Sequence, residues 1–216
     1  MCAHYESIED PQRIAQAFQV ALPPNAKTDV WPGYHSVFIR KPKEADSGDE
    51  AVPHREALTG SFGMVPHWSK NAKDARRTYN ARTETVAEKP SFRDAWRLGW
   101  HCIIPAEAIY EPDWRSGKAV ATRIRRADGA PLGIAGIWTG WKSPDGSILR
   151  SFTMLTINAD AHPLMRNFHK PEDEKRMVVV LHEDAYGAWL EAPVAQSMDF
   201  MRQYSADRLV AEVPKA

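Results

Sequence analysis

Apolar residues recur with two different periods along this chain, and the change of period separates helix from strand. In the stretch SIEDPQRIAQAF, Ile14 and Phe18 stand four apart among polar neighbours, with Asp10 placed to cap and Pro11 at the first helical position, so a short surface helix is predicted there. VFIRK at 37–41 is short enough for a strand. Residues 41–58, polar and rich in turn formers, read as a surface loop or insertion. A second short helix through Trp96 is predicted from Ser91, read as its cap, with the acidic Asp94 three residues on.

From residue 100 onward the pattern is β-branched or alternating, in the runs WHCIIPAEAIYE, AVATRIRRADG, PLGIAGIW, SFTMLTIN and RMVVVLH. The turns Ala-Asp-Gly-Ala and Ser-Pro-Asp-Gly separate three of these runs, which predicts hairpins and antiparallel pairing. EDAYGAWLEA reads as a helix after the last long strand, and a short strand or coil closes the chain. The expectation is an α+β fold, one domain over 1–216, with a mostly antiparallel, barrel-like β core and flanking helices.

Composition changes this picture little. The 216 residues suit one packed domain, and no run of 18 apolar residues or charged apolar leader is present, so no membrane span or signal peptide is expected. Two cysteines make no disulfide framework, which suits a reducing, cytoplasmic setting. Charge does change the picture. The net charge is zero, yet residues 66–126 hold 13 Lys/Arg against 7 Asp/Glu, a local balance of +6 that could supply a phosphate-binding face or scatter over a solvated surface.

Five places could carry chemistry. Cys2 follows the initiator methionine, so removal of Met1 would leave one residue bearing both a free α-amine and a thiol. The cluster Tyr79-Asn80-Ala81-Arg82-Thr83-Glu84 offers an amide that donates and accepts and a guanidinium that can grip phosphate, or else an asparagine-stabilised turn. Glu111 ends an apolar strand, where partial burial would suit proton transfer, although many such carboxylates are simply solvated. His169 could shuttle protons or be a plain loop histidine. FGMVPHW, with Trp68, interleaves aromatic and basic residues that can stack on unpaired bases or fill a core. Metal-ligand spacings and glycine-rich phosphate loops are absent, so no metal and no cofactor is expected.

The order of blocks MCAHY, WPGY, FGMVPHW, NARTET with the following SFRDAW, CIIPAEAIYEP, FTMLTINA and FHKPEDEKRMVVVL resembles the SRAP family (SOS-response-associated peptidase), the abasic-site-processing proteins. The resemblance runs from Cys2 to about Leu190. It implies Cys2 as nucleophile, with Asn80, Glu111 and His169 as catalytic partners, and Pro32, Trp68, Arg82 and Arg176 on the DNA-contacting face. The sequence departs from the family pattern at His4, where an arginine or similar residue is common, and at Pro112, where tryptophan is usual. Extra residues also separate His169 from Arg176, and Val178 replaces the usual proline.

The implied activity is covalent trapping of abasic sites in single-stranded DNA as a thiazolidine, in the setting of the SOS response. Release of a leader from the protein's own cysteine accounts for the peptidase name, and an abasic-site lyase activity belongs to the same expectation. An α-amine titrates near pH 8, well below lysine, so far more of it is neutral and nucleophilic in the cell. The partner expected is single-stranded DNA bearing abasic sites, bound by a monomer. Two other classes use the same residues: an N-terminal-nucleophile cysteine amidohydrolase, with Asn80 as oxyanion donor, and a non-catalytic module for single-stranded nucleic acid.

Overall fold

A computed structural model describes residues 2–45 and 47–213. The chain begins with β1 (His4–Glu6) and α1 (Pro11–Phe18). The Asp10 carboxylate accepts the Gln12 N–H at the helix start, and Ile14 and Phe18 are buried, as the spacing requires. β2 (Asp29–Val30), β3 (His35–Arg40) and β4 (Glu56–Phe62) follow. β5 (Asn80–Arg82) and α2 (Arg93–Arg97) lead to β6 (His101–Ala106) and β7 (Ala108–Asp113). β8 (Val120–Arg126) precedes the long hairpin of β9 (Leu132–Lys142) and β10 (Ile148–Asn158). β11 (Arg176–Val178), β12 (Val180–Leu181), α3 (Tyr186–Glu191) and β13 (Leu209–Glu212) complete the described chain.

β3, β4, β10, β9 and β6 close on one another as a five-stranded barrel, mostly antiparallel, with β4 and β10 running parallel. Closure explains why β9 is buried along nearly its whole length rather than alternating: one face looks into the barrel and the other is covered. Phe38, Phe62, Phe152 and Trp138 fill the interior as a run of ring contacts between 5.5 and 6.0 Å. Gly136 lets β9 approach its neighbours, because a Cβ there would lie 2.4 Å from Ile104 and 2.5 Å from the Thr153 carbonyl.

A second sheet, ordered β13-β8-β7-β1-β2, lies beside the barrel. Tyr5 on β1 joins the two: its fully buried ring meets Phe62 edge-on at 5.1 Å. The α+β class with an antiparallel, barrel-like core is therefore what the structure contains.

Several local expectations differ. The run 100–111, read as one strand, is two strands in different sheets. The chain turns at Glu107, whose N–H donates to the Glu6 carbonyl and whose carboxylate receives two hydrogen bonds from Arg13. Ser91 does not cap α2, which starts after Phe92 without a side-chain cap bond. The stretch expected to be loop to residue 58 becomes strand at Glu56, because β3 supplies a partner that periodicity could not reveal. Asn80 stands in a strand, not a turn, paired with β10.

His101 at the start of β6 yields a test of this packing. Its ring stacks on Trp189 at 4.0 Å, its Nε2 lies 2.9 Å from the Ser197 hydroxyl, and burial lowers its pKa to about 4. Below about pH 6.5 the unfolded chain takes up a proton here that the folded chain refuses. Stability is therefore complete above that pH and falls as pH drops toward 4, by roughly 2–3 kcal/mol from this group. Melting temperature measured across that window should fall less steeply for His101→Gln than for the unaltered chain. Equal slopes would place the acid sensitivity elsewhere.

Candidate active site

Four chain segments meet at the second residue. β1 lies between β7 and β2, with His4 opposite Tyr110 on one side and Glu6 opposite Asp29 on the other. Cys2 lies two residues before β1, buried where the charge of Glu111 on β7 acts on its sulfur. Asn80 comes from the barrel side on β5, and its amide N–H donates to the Cys2 carbonyl at 2.7 Å. The fourth segment is the loop of His169. It is held by a bridge between Phe168 and Asp113 and by the His169 N–H, which donates to the Pro112 carbonyl at 2.8 Å. His169 takes a left-handed backbone conformation, φ 64°. Its Nε2 then lies 2.9 Å from the Glu111 carboxylate.

The pocket is closely packed. Cys2 is 1% exposed, in a chain that still carries Met1, and Glu111 is 2% exposed. Burial, with the Glu111 carboxylate adding to it, pushes the Cys2 thiol well above its usual range, so the resting sulfur is a protonated thiol. It makes a weak S–H contact with the His4 carbonyl at 3.5 Å. The Tyr79 hydroxyl is raised by burial and then by Cys2 and Glu111, which places it in the same electrostatic neighbourhood. Asn80 Oδ1 is buried without a partner among the described residues, leaving an acceptor beside the Cys2 backbone. A carboxylate–imidazole pair, an amide clamp and a protonated thiol, held together, are groups able to exchange protons.

The four residues expected to contact DNA have separate fates. Pro32 is half-buried on the turn after β2, Trp68 is 54% exposed and Arg82 is exposed. Arg176 is placed differently. It is 2% exposed, donates to both oxygens of Glu84 at 2.9 and 2.8 Å, and also bonds Glu174 and the Thr156 carbonyl. Its guanidinium holds β5 to β10 and β11 and offers no free donor pair to a phosphate. Arg82 is itself paired with Glu174 at 2.8 Å.

The positive segment divides in the same way. Arg123, Arg125 and Arg126 on β8 are paired with Glu6, Glu212, Asp128 and Glu183. Lys70, Lys73, Arg76 and Arg77, on the turn after Trp68, make no ion pair among the described residues. Two exposed aromatics near Pro32, Trp31 and Tyr34, were not singled out in the sequence. Their signal was the WPGY block itself, large rings in a Pro-Gly turn where no core face exists to take them. No group of metal-binding side chains occurs among the described residues, and no described helix is long and apolar enough to cross a membrane.

Comparison with known proteins identifies the family. A family model described as SOS response associated peptidase (SRAP) matches residues 1–215. The abasic site processing protein YoqW of Bacillus subtilis (strain 168) is 32% identical over 155 residues, which cover 69% of this chain and 65% of YoqW. YobE of the same organism is 33% identical over 156 residues, covering 69% and 67%. Abasic site processing protein HMCES of Mus musculus is 26% identical over 181 residues, and the match spans only about half of it, 47%. A crystal structure of a protein from Bordetella bronchiseptica superposes with a TM-score of 0.90 at 48% identity over the whole of both chains. One from Bacteroides thetaiotaomicron, 19% identical with a TM-score of 0.77 over 99% of this chain and 92% of that one, shares the fold. By the near-complete family match, the chain belongs to the SOS response associated peptidase (SRAP) family.

Proposed function

We propose that this protein processes abasic sites in single-stranded DNA by capturing the sugar aldehyde on Cys2. Removal of Met1 comes first, since it frees the α-amine. The amine attacks C1′ of the open-chain sugar to give a carbinolamine, which loses one water to become an imine. The thiol then adds across the C=N bond: sulfur bonds to C1′, and its proton passes to nitrogen. The ring holds nitrogen, C1′, sulfur, Cβ and Cα, and both nucleophiles hang from one Cα, so closure is intramolecular.

The observation that carries this reading is the clamp on residue 2. Asn80 holds its carbonyl at 2.7 Å, and the Glu111–His169 pair, 2.9 Å apart, stands beside it. Glu111 accepts a proton from the attacking amine and returns it to the departing hydroxyl, while His169 protonates the sugar ring oxygen and so opens the ring to aldehyde. Trp68, Pro32 and Arg82 line the DNA side, with the unpaired cations of residues 70–77 adding phosphate attraction. The names of YoqW, YobE and HMCES support the same substrate class.

Incubated with single-stranded DNA carrying one uracil-derived abasic site, the unaltered chain should give a shifted band that survives a denaturing gel. Cys2→Ala should give none, and equal cross-linking by that variant would end the assignment. Cys2→Ser keeps the amine and loses the sulfur, so its adduct should persist only when borohydride reduces the imine. Glutamine hydrolysis without DNA would instead favour an amidohydrolase.

Glu111→Gln removes the proton acceptor and keeps the shape. Cross-linking should slow by roughly 10²- to 10⁴-fold, the usual contribution of a positioned acid–base group. An unchanged single-turnover rate would mean that Glu111 serves only the fold.

A further inference from the structure

Next to Cys2, three rings stand side by side across three strands. Trp31 stacks on His4 at 4.1 Å and 13°, and His4 stacks on Tyr110 at 4.2 Å and 13°. The Trp31 indole N–H donates to the Asp29 carboxylate at 3.3 Å, which fixes the plane of the ring. The Asp29 carboxylate also lies 2.5 Å from the His4 Nε2. Trp31 ends the row: it is 43% exposed, and among the described residues only His4 is stacked on it. A second observation falls at the same turn. Gly33 adjoins Arg76: a Cβ on it would sit in ordinary contact, 3.5 Å from Arg76 Cγ and 3.7 Å from Nε. Arg76 is exposed and has no ion pair among the described residues.

We propose that Trp31 and Arg76 form a nucleotide subsite, in which an unpaired base stacks on the open face of the indole and its phosphate meets the guanidinium. This rests on the reading above that the sugar of an abasic nucleotide sits at Cys2. The base extends the existing row of rings by one place, and its rim of charge comes from a cation that no carboxylate has claimed. His4 is two residues from Cys2, at most about 7 Å along an extended chain, so a base in this position belongs to a nucleotide neighbouring the one at the thiol. Stacking accepts any base, so the subsite takes single-stranded nucleotides without reading sequence.

The test uses an undamaged, fluorescently labelled single-stranded deoxyoligonucleotide, which has no aldehyde and binds reversibly. Trp31→Ala should weaken binding by about 5- to 100-fold, whereas Trp31→Phe should retain most of it. Arg76→Ala should reduce the slope of log affinity against log salt by about 0.7. Bases are then replaced one at a time by a stable base-free residue. At one position the unaltered chain should fall to the Trp31→Ala affinity, and Trp31→Ala should lose nothing more. Binding by Trp31→Ala equal to that of the unaltered chain overturns the subsite, as does a scan with no such position. Should Trp31→Ala melt early, the Arg76→Ala slope and the scan on the unaltered chain decide in the same way. Adduct formation on an abasic oligonucleotide is read separately. Its absence in the unaltered chain removes the trapping chemistry, whereas a normal adduct with a flat scan removes the subsite alone.

Discussion

The position of Cys2 depends on three residues of backbone pairing. β1 is only His4–Glu6, yet it has a partner on each side, so its register is set twice. Alternation then turns Tyr5 inward onto Phe62 and leaves His4 and Glu6 on the opposite face. Glu6 is tied there by Arg123 and by the Tyr110 hydroxyl, which donates to it. A slip of one residue would bury His4 and expose Tyr5. Without a strand locked in this way, a terminal segment frays, and Cys2 would have no fixed relation to Asn80 and Glu111.

The carboxylate that faces Cys2 owes its position to the corner at Glu107. Because β6 belongs to the barrel and β7 to the neighbouring sheet, the chain leaves the barrel in time to run beside β1. Ile109 and Glu111 then share the inward face of β7, and a carboxylate occupies a place that patterning assigns to an apolar side chain. Burial of a charge is costly unless a partner offsets it, and the His169 imidazole at 2.9 Å is that partner. The same low-dielectric surroundings keep the thiol protonated. One packing arrangement thus sets the state of the sulfur and brings the Glu111–His169 pair beside it.

A second ionic chain braces the opposite side. Glu84, Arg176, Glu174 and Arg82 alternate in sign and link β5 with the loop that carries His169. Arg176, buried at its centre, has several acceptors, as an interior guanidinium requires. Its role is therefore to hold Asn80 and His169 in their relative places. Surface cations are left to the turn of residues 70–77, where Gly63 (φ 109°) lets the chain leave β4 against the Ala75 carbonyl, a site that no Cβ could enter.

Much of the fold was legible in local pattern. The capped helix at Pro11–Phe18, the hairpin of β9 and β10 and the α+β class all follow from periodicity and turn chemistry, which act over a few residues. The order of the sequence blocks that hold Cys2, Asn80, Glu111 and His169 was enough to suggest a family and, through it, a chemistry. Other features depended on partners distant in the chain. β4 and β5 exist because β3 and β10 offer them edges, and the single apolar run at 100–111 divides because Glu6 and Arg13 capture Glu107. Arg176 looks like a surface cation in sequence and becomes a buried brace because two glutamates from separate segments converge on it. Residue identity determined which reactions were available here. Only tertiary structure decided which groups meet, because hydrogen bonds and ion pairs act over a few ångströms, and chain neighbours dozens of residues apart come within that range only when the sheets close.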